Sequence, residues 1–211
     1  MVATILIAAL IFYSCGPAAT FDKPQPDNLT SLAAFPPQLQ GNYLAADHAS
    51  VLTITDKLIT RHYDYYMKEL RDSLGPPYKL AGDTLINQEN GTREIVLLKG
   101  DTIMQNANWM DTLFNISNDN ILKKFKGYYF LNNRYYDHSW EVKNMKLKRG
   151  LLSIGSISTK EDIQKLKEIT ETTADTVSTH FSLTRRQFKR FIKQEGFGDQ
   201  ETFTRITGNN R

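Results

Sequence analysis

The strongest constraint on this chain is a period of two. Between about residue 39 and residue 157 apolar side chains alternate with polar ones, the pattern of half-buried strands. Residues 50–55 place Leu52 and Ile54 on one face. Asp56-Lys57 then turns the chain into residues 58–67, where Ile59, Tyr63, Tyr65 and Met67 share a face. Gly82-Asp83-Thr84 and Gly100-Asp101-Thr102 repeat a turn-then-strand signal, with the hairpin-forming pair Asn90-Gly91 between them. An antiparallel meander is expected. Two copies of that signal are too few for a solenoid.

A second meander is expected over residues 127–133, 139–147 and 151–157, after one bent strand or two in residues 101–116. In its middle strand the apolar face changes phase, from Trp140/Val142 to Met145/Leu147. A β-bulge near Lys143-Asn144 would produce that slip and bend the sheet toward closure. After residue 158 the period becomes helical. Ser158-x-x-Glu161 has capping-box form and precedes the stripe Ile163, Leu166, Ile169. Val177, Phe181 and Leu183 alternate as a returning strand. Thr184-x-x-Gln187 then opens a second helix with Phe188, Phe191 and Ile192 inward and Gly196 as its stop. The expected fold is mainly β (α+β). It is an antiparallel meander forming a barrel or strongly bent sheet of about 8–10 strands, with two short helices late in the chain.

Residues 2–13 are apolar and uncharged, which fits the core of a signal peptide. They are too few to span a bilayer, which takes roughly 20 residues. Phe12-Tyr13-Ser14-Cys15 resembles a bacterial lipobox, and Cys15 is the one cysteine in the chain. A lone cysteine excludes an internal disulfide or a multi-cysteine metal site. The expected division is a signal peptide over residues 1–14, a lipidated Cys15 with a proline-rich tether over 15–38, and a single β-rich domain over 39–211. Five of the seven prolines fall in that tether: Pro17, Pro24, Pro26, Pro36 and Pro37. The first basic residue is Lys23, so Met1 is expected to lie inside a longer leader. Gly16-Pro17-Ala18-Ala19-Thr20 carries no acid, and the lipobox resemblance implies a lipid-anchored envelope protein, expected at the outer membrane and facing the periplasm.

A net charge of +3 is too mild to imply nucleic acid. His48, His62, His138 and His180 show no zinc spacing, Gly155-Ser156 lacks a nucleophile elbow, and no phosphate-binding glycine loop occurs. No catalytic residue, metal or cofactor is therefore expected. The aromatic residues Tyr63, Tyr65, Trp109, Tyr135, Tyr136 and Trp140, with Asp137-His138 nearby, are candidates for a ligand or partner surface. The plain alternative is that these rings fill a core. Arg185, Arg186, Lys189, Arg190 and Lys193 form a basic helix face, which is either simply solvated or set against anionic lipid head groups.

The loose lipobox, Leu39-Gln40-Gly41-Asn42-Tyr43, the Gly-Asp-Thr meander, Phe125-Lys126-Gly127-Tyr128-Tyr129-Phe130-Leu131-Asn132 and Phe188-Lys189-Arg190-Phe191-Ile192 together resemble uncharacterised Bacteroidota envelope lipoproteins. Gly41-x-Tyr43 followed by a meander is also distantly similar to lipocalin-like barrels, with Tyr in place of Trp. The first resemblance brings no activity with it, and the leading expectation is a membrane-anchored, non-catalytic envelope lipoprotein that binds another envelope component, a protein. The second implies a carrier of an apolar small molecule.

Overall fold

The computed structural model describes residues 16–136, 138–171 and 179–207. The signal peptide, Cys15, Asp137 and Val177 lie outside them. In chain order the strands begin with β1 (Thr20–Phe21), β2 (Gly41–Ala45), β3 (Ser50–Ile54) and the long β4 (Leu58–Leu70). Four short strands follow: β5 (Tyr78–Ala81), β6 (Thr84–Asn87), β7 (Arg93–Ile95) and β8 (Leu97–Lys99). Then come β9 (Thr102–Asn115), β10 (Asn120–Phe125), β11 (Tyr128–Tyr135), β12 (Ser139–Lys148) and β13 (Leu151–Ser156). The last elements are α1 (Lys160–Thr170), β14 (His180–Phe181), α2 (Arg185–Lys193) and β15 (Asp199–Arg205).

The protein is mainly β with two short late helices, as the alternation predicts. Its main sheet runs β10-β11-β12-β13-β15-β2-β3-β4-β9-β8, with β1 on β12 and β14 beside β1. The sheet bends strongly but does not close into a barrel. Among the described residues no ladder joins β10 to β9. The chain before β2 fills the opening instead. Leu32 forms a bridge with Leu122 of β10, and the Phe35 N–H donates to the Asp56 carbonyl at 2.6 Å, in the β3–β4 turn. Fifteen strands form among the described residues, more than expected, because the central arm folds a small sheet of its own (β5-β6-β7) and the two-residue strands β1 and β14 add to the main one.

The concave side holds a core of Phe35, Leu39, Tyr43, Leu52, Ile59, Phe114, Leu131, Met145, Leu152 and Phe203. On the convex side α1 and α2 cover a second, phenylalanine-rich core. There Phe130 meets Phe188 edge-on at 5.1 Å, and Phe21, Phe191 and Phe197 pack around them. This double burial explains the phase change in β12. Trp140 and Val142 point to the convex side and Met145 to the concave side. The register from Tyr129↔Met145 to Tyr135↔Ser139 is unbroken, so no bulge lies at Lys143-Asn144. The bulge is elsewhere, between Ile59 and Thr60, where Leu113 is the extra residue on β9.

The expected tether is also revised. From Ala19 onward the proline-rich segment is part of the folded domain, because it carries the apolar anchors Phe21 and Phe35, both buried. It is also bound by polar clasps. Buried Asn132 accepts from the Gln25 N–H at 2.6 Å and donates to the Gln25 carbonyl at 3.0 Å. The Lys123 ammonium donates to the carbonyls of Pro24 at 2.8 Å and Pro26 at 2.9 Å. Proline rules out ladder pairing at its own nitrogen, so carbonyl acceptors and side-chain donors hold this segment in place.

Two local signals differ from expectation. The α1 cap is Thr159, one residue later than predicted, and accepts from the Asp162 N–H. Ser158 instead donates to Asp199. Gly196 does not sit in a left-handed stop. A Cβ there would overlap the Phe191 ring, so glycine is required by packing. The Thr184–Gln187 capping box on α2 forms in full.

Candidate functional site

β3 ends its pairing with β4 at Ser50↔Tyr63. Beyond that point β4 and β9 continue as a two-stranded ribbon, paired from Tyr63↔Trp109 to Leu70↔Thr102. At roughly 3.3 Å per residue the ribbon runs for about 23 Å beyond Tyr63. Its tip is built from β5 to β8 around a small cluster of Leu85, Val96 and Ile103. The Gly82 and Gly100 turns start β6 and β9, both with positive φ. Asn90-Gly91 sits in a longer β6–β7 loop.

Strand alternation carries the core stripe outward along one face of this arm. Ile59 and Phe114 are buried in the concave core, and the next pairs on that face are Arg61↔Asp111, Tyr63↔Trp109 and Tyr65↔Ala107. Tyr63 and Trp109 stack at 4.5 Å and 16°, and Tyr65 meets Trp109 edge-on at 5.9 Å. The Arg61 guanidinium lies 4.8 Å from the Tyr63 ring and 5.4 Å from Phe203. The stack covers one face of Tyr63 and one of Trp109, and Trp109 remains 42% exposed. Large amphipathic rings of this kind suit contact with a partner's apolar side chains.

Among the described residues, ten of the thirteen exposed large hydrophobic residues fall between Tyr66 and Leu113, including Leu70, Ile95, Leu97, Trp109 and Met110. Ile95 is 80% exposed and Met110 65%. Residues 62–112 hold five Lys/Arg against eight Asp/Glu, in a chain that is otherwise net positive.

At the root of the arm the concave face holds a cleft of about 120 Å³. Ile59, Leu131 and Ile154 line its apolar part, and Arg61, Asn133, Lys143, Asp199 and Glu201 its polar part. Arg61 bonds Glu201 at 2.8 Å and Ser50 at 2.8 Å. Lys143 pairs with Glu141 at 3.6 Å. Asp199 accepts from Ser156 and Ser158, both at 3.0 Å. Each cleft carboxylate therefore has a structural partner. Two groups elsewhere are shifted. Burial raises the Tyr43 hydroxyl above its usual range, against the pull of Arg205. Burial lowers the Lys123 ammonium, against Asp27 and reinforced by Arg185.

The six aromatic candidates separate. Tyr63, Tyr65 and Trp109 come together on the arm. Tyr135 shares the concave side of β11 with Leu131 and Asn133, by alternation. Tyr136 is in the following turn, 81% exposed, with its ring 4.6 Å from Tyr135. Trp140 is buried on the convex side beneath Arg134, 4.6 Å from its ring, so it is a core residue. His62 contacts Asn108 on the opposite face of the arm, which also carries Tyr66 and Met110, and His180 contacts Thr20 and Asp22. Sequence reasoning missed Arg61, Lys143, Asp199 and Glu201. The alternation Asp199-x-Glu201-x-Phe203-x-Arg205 was the available signal for β15. Among the described residues no cluster of three or more His, Cys, Asp or Glu could hold a metal, and no helix is long and apolar enough to cross a membrane.

No protein-family model, curated protein or solved structure matches this chain.

Proposed function

We propose that this protein is a lipid-anchored, non-catalytic component of a bacterial envelope that presents the β4–β9 arm to a partner protein. The observation that carries the reading is the concentration of exposed apolar side chains on the arm. A monomer that buries two separate cores leaves large apolar groups exposed in one region where they serve contact with a partner. The arm's acidic balance defines that partner as an apolar surface bordered by Lys and Arg, since complementary charge steers and registers association. Cys15 supplies the anchor in this reading, on the strength of its lipobox-like setting.

The carrier reading has less support. Small-molecule sites commonly enclose about 300–1,000 Å³. The concave side here is filled by Phe35, Leu39, Tyr43 and Phe203, the cleft at the arm root is only about 120 Å³, and the larger recess of about 340 Å³ beside Leu39 and Tyr129 is edged by Lys124 and Arg149.

Native mass spectrometry of the chain isolated from its own envelope separates the two. The docking reading expects a copurifying protein that is lost when Trp109→Ala is combined with Met110→Lys. A stoichiometric small apolar ligand, with no protein bound, would favour the carrier.

A further inference from the structure

The structure also bears on how the protein stands on its membrane. The folded domain begins at Ala19, which is 2% exposed and packs in the same convex cluster as Phe188 and Phe191 of α2. Four peptide units separate Ala19 from position 15, so the two Cα atoms are no more than about 14 Å apart. A 23-residue tether would leave the body free to tumble above a bilayer. A leash this short holds one particular surface of the body at the lipid.

The cluster that contains Ala19 draws on β1, β11, β12, β14, α1 and α2. β1 pairs with β14 through Thr20↔His180 and Phe21↔Phe181, and α2 begins four residues beyond Phe181. The Phe21 ring meets Phe188 edge-on at 6.3 Å. Phe188 and Phe191 turn the apolar side of α2 inward, and Arg185, Arg186, Lys189, Arg190 and Lys193 are all exposed. None of the five forms an ion pair among the described residues, and the helix contains no acid. Arg185 alone has a protein acceptor, the Asn28 carbonyl at 2.9 Å. The neighbouring α1 differs, carrying three Lys against Glu161, Asp162 and Glu168. The cationic face therefore lies on the element that shares a core with the anchor end of the domain, whereas the acidic, apolar arm is a separate ribbon.

We infer that the exposed basic face of α2 is a docking surface for anionic lipid headgroups, which seats the body on the membrane beside the anchor. This rests on the lipid-anchored reading for its biological setting, but the surface itself is testable without acylation. Each Lys or Arg held near an anionic bilayer strengthens binding about fivefold, and the attraction is screened by salt. An apolar leader or an acyl chain, in contrast, partitions into neutral and anionic bilayers alike.

The test is vesicle co-sedimentation of the full chain, with phosphatidylcholine alone or with about a quarter phosphatidylglycerol. The inference expects partitioning at least tenfold stronger into the anionic vesicles. That preference should vanish in Arg186→Gln/Lys189→Gln/Arg190→Gln/Lys193→Gln and persist in Arg186→Lys/Arg190→Lys. Raising salt to about 0.5 M should abolish the preference of the unaltered chain, a control that needs no variant. Equal partitioning into both vesicle types, or an anionic preference retained by the quadruple variant, would overturn the inference. The anchor is read separately, by the mass of the Cys15 peptide from the native envelope. An unacylated Cys15 removes the lipoprotein reading and leaves the headgroup surface standing on its own result.

Discussion

Arg61 reaches Glu201 at 2.8 Å and so ties the root of the arm to the last strand of the sheet. The pair is not equally buried: the Arg61 side chain is 14% exposed and that of Glu201 58%. An exposed partner makes the ion pair itself worth less than about 1 kcal/mol. Arg61 also covers the Tyr63 and Phe203 rings and donates to Ser50, so its loss removes packing as well as charge. Glu201→Gln should therefore change stability by under about 1 kcal/mol, and Arg61→Ala should cost roughly 1–3 kcal/mol. Urea denaturation of both variants checks the order. Equal losses would mean that the salt bridge alone holds the arm root.

Asn132 should be the most sensitive polar residue of the domain. Asn132→Leu leaves the Gln25 N–H and carbonyl without their buried partner, at a cost of roughly 2–4 kcal/mol. The damage should be local at first. Limited proteolysis should cut within residues 22–33 in the variant and spare that segment in the parent protein. An uncut segment would place its main attachment at Phe21 and Phe35.

Tyr43 makes a pH prediction with a definite sign. Its hydroxyl donates to the Leu39 carbonyl at 2.6 Å, and its folded pKa is raised above 10.0. The folded state then holds this proton more tightly than the unfolded chain. The stabilisation is fully present below about pH 10 and is lost as pH rises through the folded value. Lys123, lowered by burial, acts with the opposite sign as pH rises toward its unfolded value, so the whole-protein profile mixes the two. The difference between the parent and Tyr43→Phe isolates the tyrosine. In urea titrations that difference should shrink from about pH 9 upward. A constant difference would contradict the assignment.

The tip of the arm should open independently of the body. Its cluster has three buried members, Leu85, Val96 and Ile103, against much larger groups in the two main cores. Ile103→Ala should raise amide exchange across residues 74–104 and leave β11, β12 and β13 protected. Loss of protection throughout the domain would show that the tip and body unfold as one unit.

Alternation carried most of the strand pattern, because one-sided burial writes itself into a sequence with period two. It misled where burial is two-sided. Trp140/Val142 and Met145/Leu147 look like a register slip, yet the strand is regular and a helical layer covers its far face. The proline-rich segment was misjudged for another reason. Prolines signal what a segment cannot pair with, whereas Phe21, Phe35 and the Asn132 clasp decide where it packs, and the contacts of Phe21 with Phe188 and of Gln25 with Asn132 join residues far apart in the chain. The Tyr63/Trp109 pair was legible as residue types but not as neighbours, since only the β4–β9 register brings them together. Asp199 and Glu201 were missed because their strand has few apolar residues to announce it.

Crosslinking in the intact envelope shows whether the arm is the partner-binding element. A photoreactive residue would replace Met110 or Tyr66 on the arm, or Lys148 on the body as a control. The arm positions should yield one discrete protein adduct and Lys148 none. The adduct should map to an apolar surface flanked by Lys or Arg, and Trp109→Ala should weaken it. Arm positions that yield no adduct, or the same diffuse products as Lys148, would contradict the claim.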